Sequence, residues 1–351
     1  MSLIKFYQGK KIFITGHTGF KGCWLSLFLE KLGAEITGYA LKPIDYRGNL
    51  FNLISLDKNI HSIIADIRNY QSLKKAITDA KPDIIFHLAA QAIVRDSYQD
   101  PLNNYDTNIM GTVNLLDIAK DVSSVKAVIN ITTDKCYENN QCDRPYHEND
   151  QLGGYDPYST SKACSELINS SYRKSFYQPK NIGLASARAG NVIGGGDFAK
   201  DRIIPDLIEA ISKKESAIIR NPLSIRPWQY VLDVLNGYLI LGQKLYQDPE
   251  KYSEAFNFSP KENTAITVKE IADAFIEIIG YGSYQINQDK NNVYEAQTLK
   301  LDSSKAADKL RWTTKYDIND IIKNTGFWYK GFLQDSDIKS LCDKQLKEFI
   351  N

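Results

Sequence analysis

Thr15-Gly16-His17-Thr18-Gly19-Phe20-Lys21-Gly22 is the stretch that decides how the rest of this 351-residue chain is read. Ahead of it, Lys11-Ile12-Phe13-Ile14 is a short apolar run of the kind that forms a buried strand. Behind it, Trp24, Leu25, Leu27, Phe28, Leu29 and Leu32 place apolar residues at helical spacing. A glycine-rich turn therefore joins a first strand to a first helix, which presents bare backbone N–H groups to a phosphate. Gly16 permits the tight turn, Gly19 lets backbone approach a pyrophosphate, and Gly22 lets the helix lie close to the strand. The spacing is G-x-x-G-x-x-G, a departure from the more usual G-x-G-x-x-G.

Strand signals recur along the first half of the chain, at residues 35–40, 60–65, 83–88, 126–131 and 182–187, with helical patterns between them. That alternation predicts an α/β fold, a Rossmann-like doubly wound parallel sheet. Residues 1–190 are expected to form a dinucleotide-binding Rossmann domain. Residues 191–351, less regular and with helices expected over 203–213 and 271–279, should form a smaller substrate-binding domain over the carboxyl ends of the strands. Segments near 225–235 are expected to return to the core. After the second strand comes Ala40-Leu41-Lys42-Pro43, with no acid before Asp45. The ribose of NAD usually meets an acid there, so NAD and NADP stay open at this point, and Lys42 suits a 2′-phosphate. Asp66 reads either as a cap for a helix from Tyr70 or as an acceptor for an adenine amino group. Ala89 and Ala90, at the end of the fourth strand, leave room for a flat ligand.

Composition narrows the partners. Lys and Arg total 43 against 42 Asp and Glu, so the +1 net charge gives no global attraction to nucleic acid or membrane. No apolar run reaches the ~20 residues of a membrane span, and residues 1–8 carry no signal pattern, so a cytoplasmic protein is expected. The five cysteines, Cys23, Cys136, Cys142, Cys164 and Cys342, lack C-x-x-C spacing. With only four histidines and no H-E-x-x-H, no metal site is expected.

Tyr158-Ser159-Thr160-Ser161-Lys162 holds a tyrosine and a lysine one helical turn apart. An ammonium so placed is expected to lower the phenol pKa from ~10 and fit it to take a proton from a sugar hydroxyl. Tyr7/Lys11 and Tyr70/Lys74 have the same spacing. Only the third pair follows a good helix start, Asp156-Pro157, and falls between the fifth and sixth strands. Ile131-Thr132-Thr133-Asp134-Lys135 ends the fifth strand and reads as a hydroxyl, a carboxyl and an amine aimed into the same crevice, or as a turn with a capping aspartate.

Together these residues resemble the extended short-chain dehydrogenase/reductase family. Gly16-His17-Thr18-Gly19-Phe20-Lys21-Gly22, Thr133-Asp134-Lys135-Cys136-Tyr137, Gly153-Gly154-Tyr155-Asp156-Pro157-Tyr158-Ser159, Arg188-Ala189-Gly190-Asn191-Val192-Ile193-Gly194-Gly195-Gly196-Asp197 and Ser224-Ile225-Arg226-Pro227-Trp228-Gln229 are similar to the CDP-glucose 4,6-dehydratase branch. Sister dehydratases usually carry Asp-Glu where this chain has Asp134-Lys135. The resemblance implies a lyase that uses bound NAD transiently and gives a 4-keto-6-deoxy sugar for lipopolysaccharide precursors. The alternative is another dehydratase or an epimerase of the same fold, acting on a dTDP-, UDP- or GDP-sugar.

By family position, Tyr158 takes the C4 hydroxyl proton, Thr133 binds the C4 oxygen, Asp134 protonates the departing C6 hydroxyl and Lys162 holds the nicotinamide ribose. Lys135 stands where sister enzymes place the C5 base. An acid at Asp134 with a neutral Lys135 lies about 6.5 pKa units uphill of the ion pair in water, so polarising the substrate or ordering a water is the competing role. The resemblance assigns Gly16, Thr18, Gly19, Phe20, Gly22, Asp66 and Ile67 to the cofactor, with Leu88, Ala89, Ala90, Asn108 and Thr132. To the substrate it assigns Gln91, Arg95, Asn191, Arg202, Arg220 and Arg226, guanidinium forks being suited to diphosphate. It also implies a homodimer or larger, with contacts through helices at 104–120 and 158–176.

Overall fold

The computed structural model describes residues 1–44, 48–139, 144–260, 265–287 and 299–350; Asp45 and Cys142 lie outside the described residues. Seven strands form one sheet: β1 (Lys11–Thr15), β2 (Glu35–Ala40), β3 (His61–Ile64), β4 (Ile84–His87), β5 (Ala127–Ile131), β6 (Gly183–Ala189) and β7 (Ala255–Phe258). Their order is β7-β6-β5-β4-β1-β2-β3 and every pairing is parallel. Six of these follow the sequence pattern. The seventh does not, because Ala255-Phe256-Asn257-Phe258 is four residues long and lies in the irregular half.

The strands are buried on both faces, as a parallel sheet requires. Ile12, Ile14, Ile84, Phe86, Ala127 and Ile129 point to one face, and Phe13, Ile85 and Val128 to the other. The first face is covered by helix α1 (Phe20–Lys31), buried continuously from Gly22 to Leu29, and by helix α4 (Val231–Gln247). Between these two in sequence run α2 (Pro157–Tyr172), packed on the second face, and α3 (Ile203–Lys213). Val231–Gln247 and β7 both belong to the sheet layers although they follow residue 190. The chain leaves the sheet after β6, forms the short pair Val192–Ile193 with Gln229–Tyr230, and returns through α4. In the remaining C-terminal part, Ser283–Ile286 pairs with Ser216–Ile219, and Ala265–Thr267 with Ile225–Pro227.

Strand order reverses between β1 and β4. Crevices that bind ligands open at such a switch, outside the carboxyl ends of the strands. The glycine turn after β1 and the Leu88–Gln91 segment after β4 meet there.

Candidate active site

The glycine turn is fixed by close backbone approach. Gly16 has φ +78°, and a Cβ on it would sit 2.8 Å from the Ala89 backbone nitrogen. A Cβ on Gly22 would lie 2.1 Å from the Gly16 carbonyl oxygen, so only glycine allows α1 to start this near the turn. Gly19 differs. It precedes α1 with no side-chain cap, and its Cβ would meet nothing nearer than the Gly16 oxygen at 3.5 Å. The first-turn N–H groups of α1 are left for an anion. They border a cavity of about 620 Å³. Gly16, Thr18, Gly19, Phe20 and Gly22 line it on one side, and Leu88, Ala89 and Ala90 on another. Thr132, Tyr158 and Lys162 line its inner end, with Asp66 and Ile67 toward the edge strands. A flat, pyrophosphate-bearing cofactor fits these walls.

Several residues are used otherwise than expected. Asp66 caps no helix; Asn69 does, accepting from the Ser72 backbone N–H at 3.0 Å. The Asp66 carboxylate instead accepts from the backbone N–H, Nε and Nη2 of Arg68, which holds its pKa below the usual range. Arg68, which sequence reasoning passed over, continues to Asn103 at 2.9 Å. Thr18 donates its hydroxyl to the Leu41 carbonyl at 3.0 Å and so pins the turn to the end of β2. Asn108 does not line either cavity. Its amide accepts from the Gln91 backbone N–H at 2.8 Å and donates to the Gln91 carbonyl at 3.0 Å and the Ser161 hydroxyl at 2.9 Å. It ties the exit of β4 to α2. Gln91 lines the cofactor cavity, not the substrate one, and its side chain is engaged by Ile93 and Asn104.

Helix α2 begins as its sequence predicts, with Asp156 accepting from the Ser159 backbone N–H at 2.9 Å and Pro157 at the first position. Tyr158 and Lys162 share its cavity face and are 8% and 7% exposed. The tuning differs from the expectation. Burial pushes the Tyr158 phenol up to about 12, opposed by its hydrogen bond with Thr133. Burial lowers Lys162 to about 8, opposed by the charge of Glu166. The Lys162 amine is turned toward the Ile131 carbonyl, 3.2 Å away, and desolvation outweighs any help it gives the phenol. The spacing-matched pairs are structural: the Tyr7 hydroxyl donates to Leu239 O at 2.8 Å, and that of Tyr70 to Asp117 at 2.9 Å.

Thr133, Asp134 and Lys135 form a single tight turn after β5 and border a second cavity of about 400 Å³ beside the first. The cap of that turn is Thr133, not Asp134: its hydroxyl accepts from the Lys135 backbone N–H at 3.4 Å and donates to the Asp134 carboxylate at 2.8 Å. Asp134 is 4% exposed, and a Cβ on Gly190 would stand 2.0 Å from its Oδ2. The Gly190-Asn191 turn thus leaves room for the carboxyl. Thr132 borders both cavities, but its hydroxyl is held by Glu166. Glu166 also accepts from Ser186 at 2.6 Å and pairs with Arg188 at 2.9 Å, with both partners almost fully buried. Removing one member of such a pair costs about 3–5 kcal/mol. Sequence reasoning missed the pair; its only signal was Glu166 four residues after Lys162. It also treated Lys21 as part of the turn, whereas Lys21 borders both cavities and burial lowers it to about 8.

The expected arginines converge on the second cavity. Arg95, Arg202, Arg220 and Arg226 all line it, with Asn191, whose φ is +50°. Arg202 borders both cavities and pairs with Asp197 at 2.7 Å. Arg220 donates to Asp201 at 3.0 Å, and Arg226 to the Ile225 carbonyl at 3.2 Å. A phenol, a hydroxyl, a carboxyl and two amines therefore sit where the first cavity adjoins a guanidinium-lined one.

The chain is similar along its length to known proteins. A family model described as GDP-mannose 4,6 dehydratase matches residues 13–325. The CDP-glucose 4,6-dehydratase of Salmonella typhimurium is 45% identical over 99% of this chain and 98% of its own length. A dTDP-D-glucose 4,6-dehydratase of Dictyostelium discoideum is 30% identical over 67% of this chain and 56% of its own. Among solved structures, the dTDP-glucose 4,6-dehydratase DesIV of Streptomyces venezuelae with NAD bound superposes with a TM-score of 0.77 at 22% identity, over 94% of this chain and 99% of that one. The UDP-glucose 4-epimerase of Thermotoga maritima with UDP-glucose also gives 0.77, at 23% identity over 92% and 99%.

Proposed function

We propose an activity from one premise: the chain belongs to the GDP-mannose 4,6 dehydratase family. It is an NAD-dependent CDP-glucose 4,6-dehydratase, a lyase that converts CDP-D-glucose to CDP-4-dehydro-6-deoxy-D-glucose and water. The observation that carries the reading is Thr133-Asp134-Lys135 bordering one cavity with Tyr158, in a chain similar along its whole length to an enzyme of that name. An epimerase needs the tyrosine and lysine but has no use for an acid aimed at a leaving hydroxyl.

NAD held along the glycine turn and by Lys162 would supply the hydride acceptor for C4 of the glucose unit and the hydride donor for C6. The residues do the rest. Tyr158 removes the C4 hydroxyl proton, while Thr133 binds the C4 oxygen. The ketone at C4 acidifies the C5 proton. Asp134 gives a proton to the C6 hydroxyl as it leaves, and Lys135 takes the C5 proton directly or through a water. Lys162 holds the ribose, and the arginines hold the diphosphate. We further propose a homodimer, for which the exposed Met110, Leu167 and Phe176 on the residue 106–119 and 157–177 helices supply apolar surface. A cytoplasmic role in lipopolysaccharide precursor synthesis completes the reading, and free thiols at Cys23, Cys136, Cys164 and Cys342 suit a reducing compartment.

Incubation with CDP-, dTDP-, UDP- and GDP-glucose tests the proposal. CDP-glucose should yield a 4-keto-6-deoxy product with no net reduction of NAD. Turnover of another nucleotide sugar alone, or stoichiometric release of reduced NAD, would overturn it.

A further inference from the structure

Two guanidinium groups in the substrate cavity converge on a single carboxylate oxygen. Arg220 Nη1 lies 3.0 Å from Asp201 Oδ1, and Arg95 Nε lies 3.6 Å from the same atom. The three residues come from different parts of the fold: Arg95 from the helix Val94–Gln99 after β4, Asp201 from the segment leading into α3, and Arg220 from just after the strand Ser216–Ile219. All three line the cavity. One oxygen bridging two guanidinium groups is the contact that a diphosphate makes with an arginine pair.

We propose that Asp201 is a resident counter-anion at the diphosphate subsite, so that nucleotide-sugar binding is an exchange of anions in which the diphosphate displaces the Asp201 carboxylate. The proposal rests on the nucleotide-sugar reading of this cavity. A carboxylate left in contact with a diphosphate is a like-charge contact, so Asp201 cannot keep both arginines once the ligand holds them. Asp201 has φ +60°, a left-handed conformation that side chains other than glycine, asparagine and aspartate seldom adopt. It also sits one residue before Arg202, the N-cap of α3, which makes no side-chain capping bond and pairs instead with Asp197. The neighbouring Lys200–Asp96 pair, at 3.3 Å, joins the same two segments more openly to solvent. It serves as a control for loosening without loss of the cavity anion.

The consequence is a specificity device. The diphosphate adds affinity only as far as it takes over both arginines, and Asp201 sets the cost of that exchange. Asp201→Asn keeps the left-handed backbone and removes the charge. In NAD-loaded protein, this variant should bind CDP about five-fold more tightly than wild type, the worth of one part-exposed charge contact. It should bind cytidine, which has no phosphate, equally well. The KM for CDP-glucose should fall in parallel. Lys200→Met should leave CDP affinity at the wild-type value. An Asp201→Asn variant that melts normally but binds CDP no better, or more weakly, would overturn the exchange, as would equal tightening in Lys200→Met. If wild type binds no CDP but binds another nucleoside diphosphate, the cytidine assignment fails, and the same comparison with that nucleotide decides the exchange.

Discussion

At the scale of single residues, the site is a set of groups whose own environments oppose the chemistry asked of them. Burial pushes Tyr158 up to about 12, which disfavours its phenolate. To take the C4 hydroxyl proton it must hand its own proton on as C4 is oxidised. Tyr158→Phe should therefore keep NAD and CDP affinity and lose about 10²–10⁴ in kcat, while Tyr7→Phe and Tyr70→Phe stay active; retained turnover in the first would remove the assignment. Asp134 serves the second half of the reaction. Asp134→Asn should still oxidise C4, so the reduced-nicotinamide absorbance should build up in a single turnover, and a flat trace in a variant that binds substrate would refute that role. The sequence made the place of Thr133, Tyr158 and Lys162 at the cavities legible, because a strand end and one helical turn are local patterns. It could not reveal that Gly190 must be glycine for the sake of Asp134, or that Glu166 meets Arg188. Those dependences join residues that the fold, not the local chain, brings together.

Among the elements, the turn from β1 into α1 separates fold from ligand within seven residues. Gly22 faces backbone and Gly19 faces the cavity. Gly22→Ala would drive a methyl into the Gly16 carbonyl, and overpacking of that kind costs about 1–3 kcal/mol. Gly19 has φ −85°, acceptable to alanine. Gly19→Ala should change stability by under ~0.5 kcal/mol yet weaken NAD binding about ten-fold, since the methyl occupies space next to the helix N–H groups. Thermal melts and NAD titrations on the two variants check this, and equal loss of stability in both would contradict it. Local pattern exposed this element fully: a strand, three glycines and an apolar helix lie within some twenty residues. It exposed the segment after β4 less well. There the helix expected at 104–120 runs unbroken from Pro101 to Ala119 but contains a π-helical turn at Asp106–Met110. The wide turn sets Asn108 between Gln91 and Ser161, an arrangement fixed by tertiary hydrogen bonds that no periodicity encodes.

For the whole molecule, the hydrogen bonds that knit the sheet to the site also set how the protein meets acid. His87, at the end of β4, is 2% exposed; its ring bonds Thr15 at 2.7 Å and Thr112 at 3.1 Å, linking the glycine turn to the Gly111–Ala119 helix. His17 is fully buried, with its ring in the space left by Gly38 and Nε2 bonded to Ser62 at 2.7 Å. Burial lowers His87 to about 3 and His17 to about 4. An unfolded histidine titrates near 6.5. Between about 6.5 and 4 the unfolded chain therefore takes up protons that the native protein refuses, so the stability these two rings contribute is complete above pH 6.5 and falls as the pH is lowered. Each ring contributes up to ~1.4 kcal/mol per pH unit across that window. Most carboxylates titrate below ~5, so the loss between pH 7 and 5 belongs chiefly to these two histidines. Urea midpoints at pH 7, 6 and 5 should fall steadily for wild type. His87→Gln should start lower, because it breaks the Thr15–Thr112 link, but descend less steeply. A wild-type midpoint that does not move between pH 7 and 5, or a variant curve parallel to it, would show that the buried rings accept protons without unfolding. The rigidity argued here for the join between glycine turn and sheet would then be wrong.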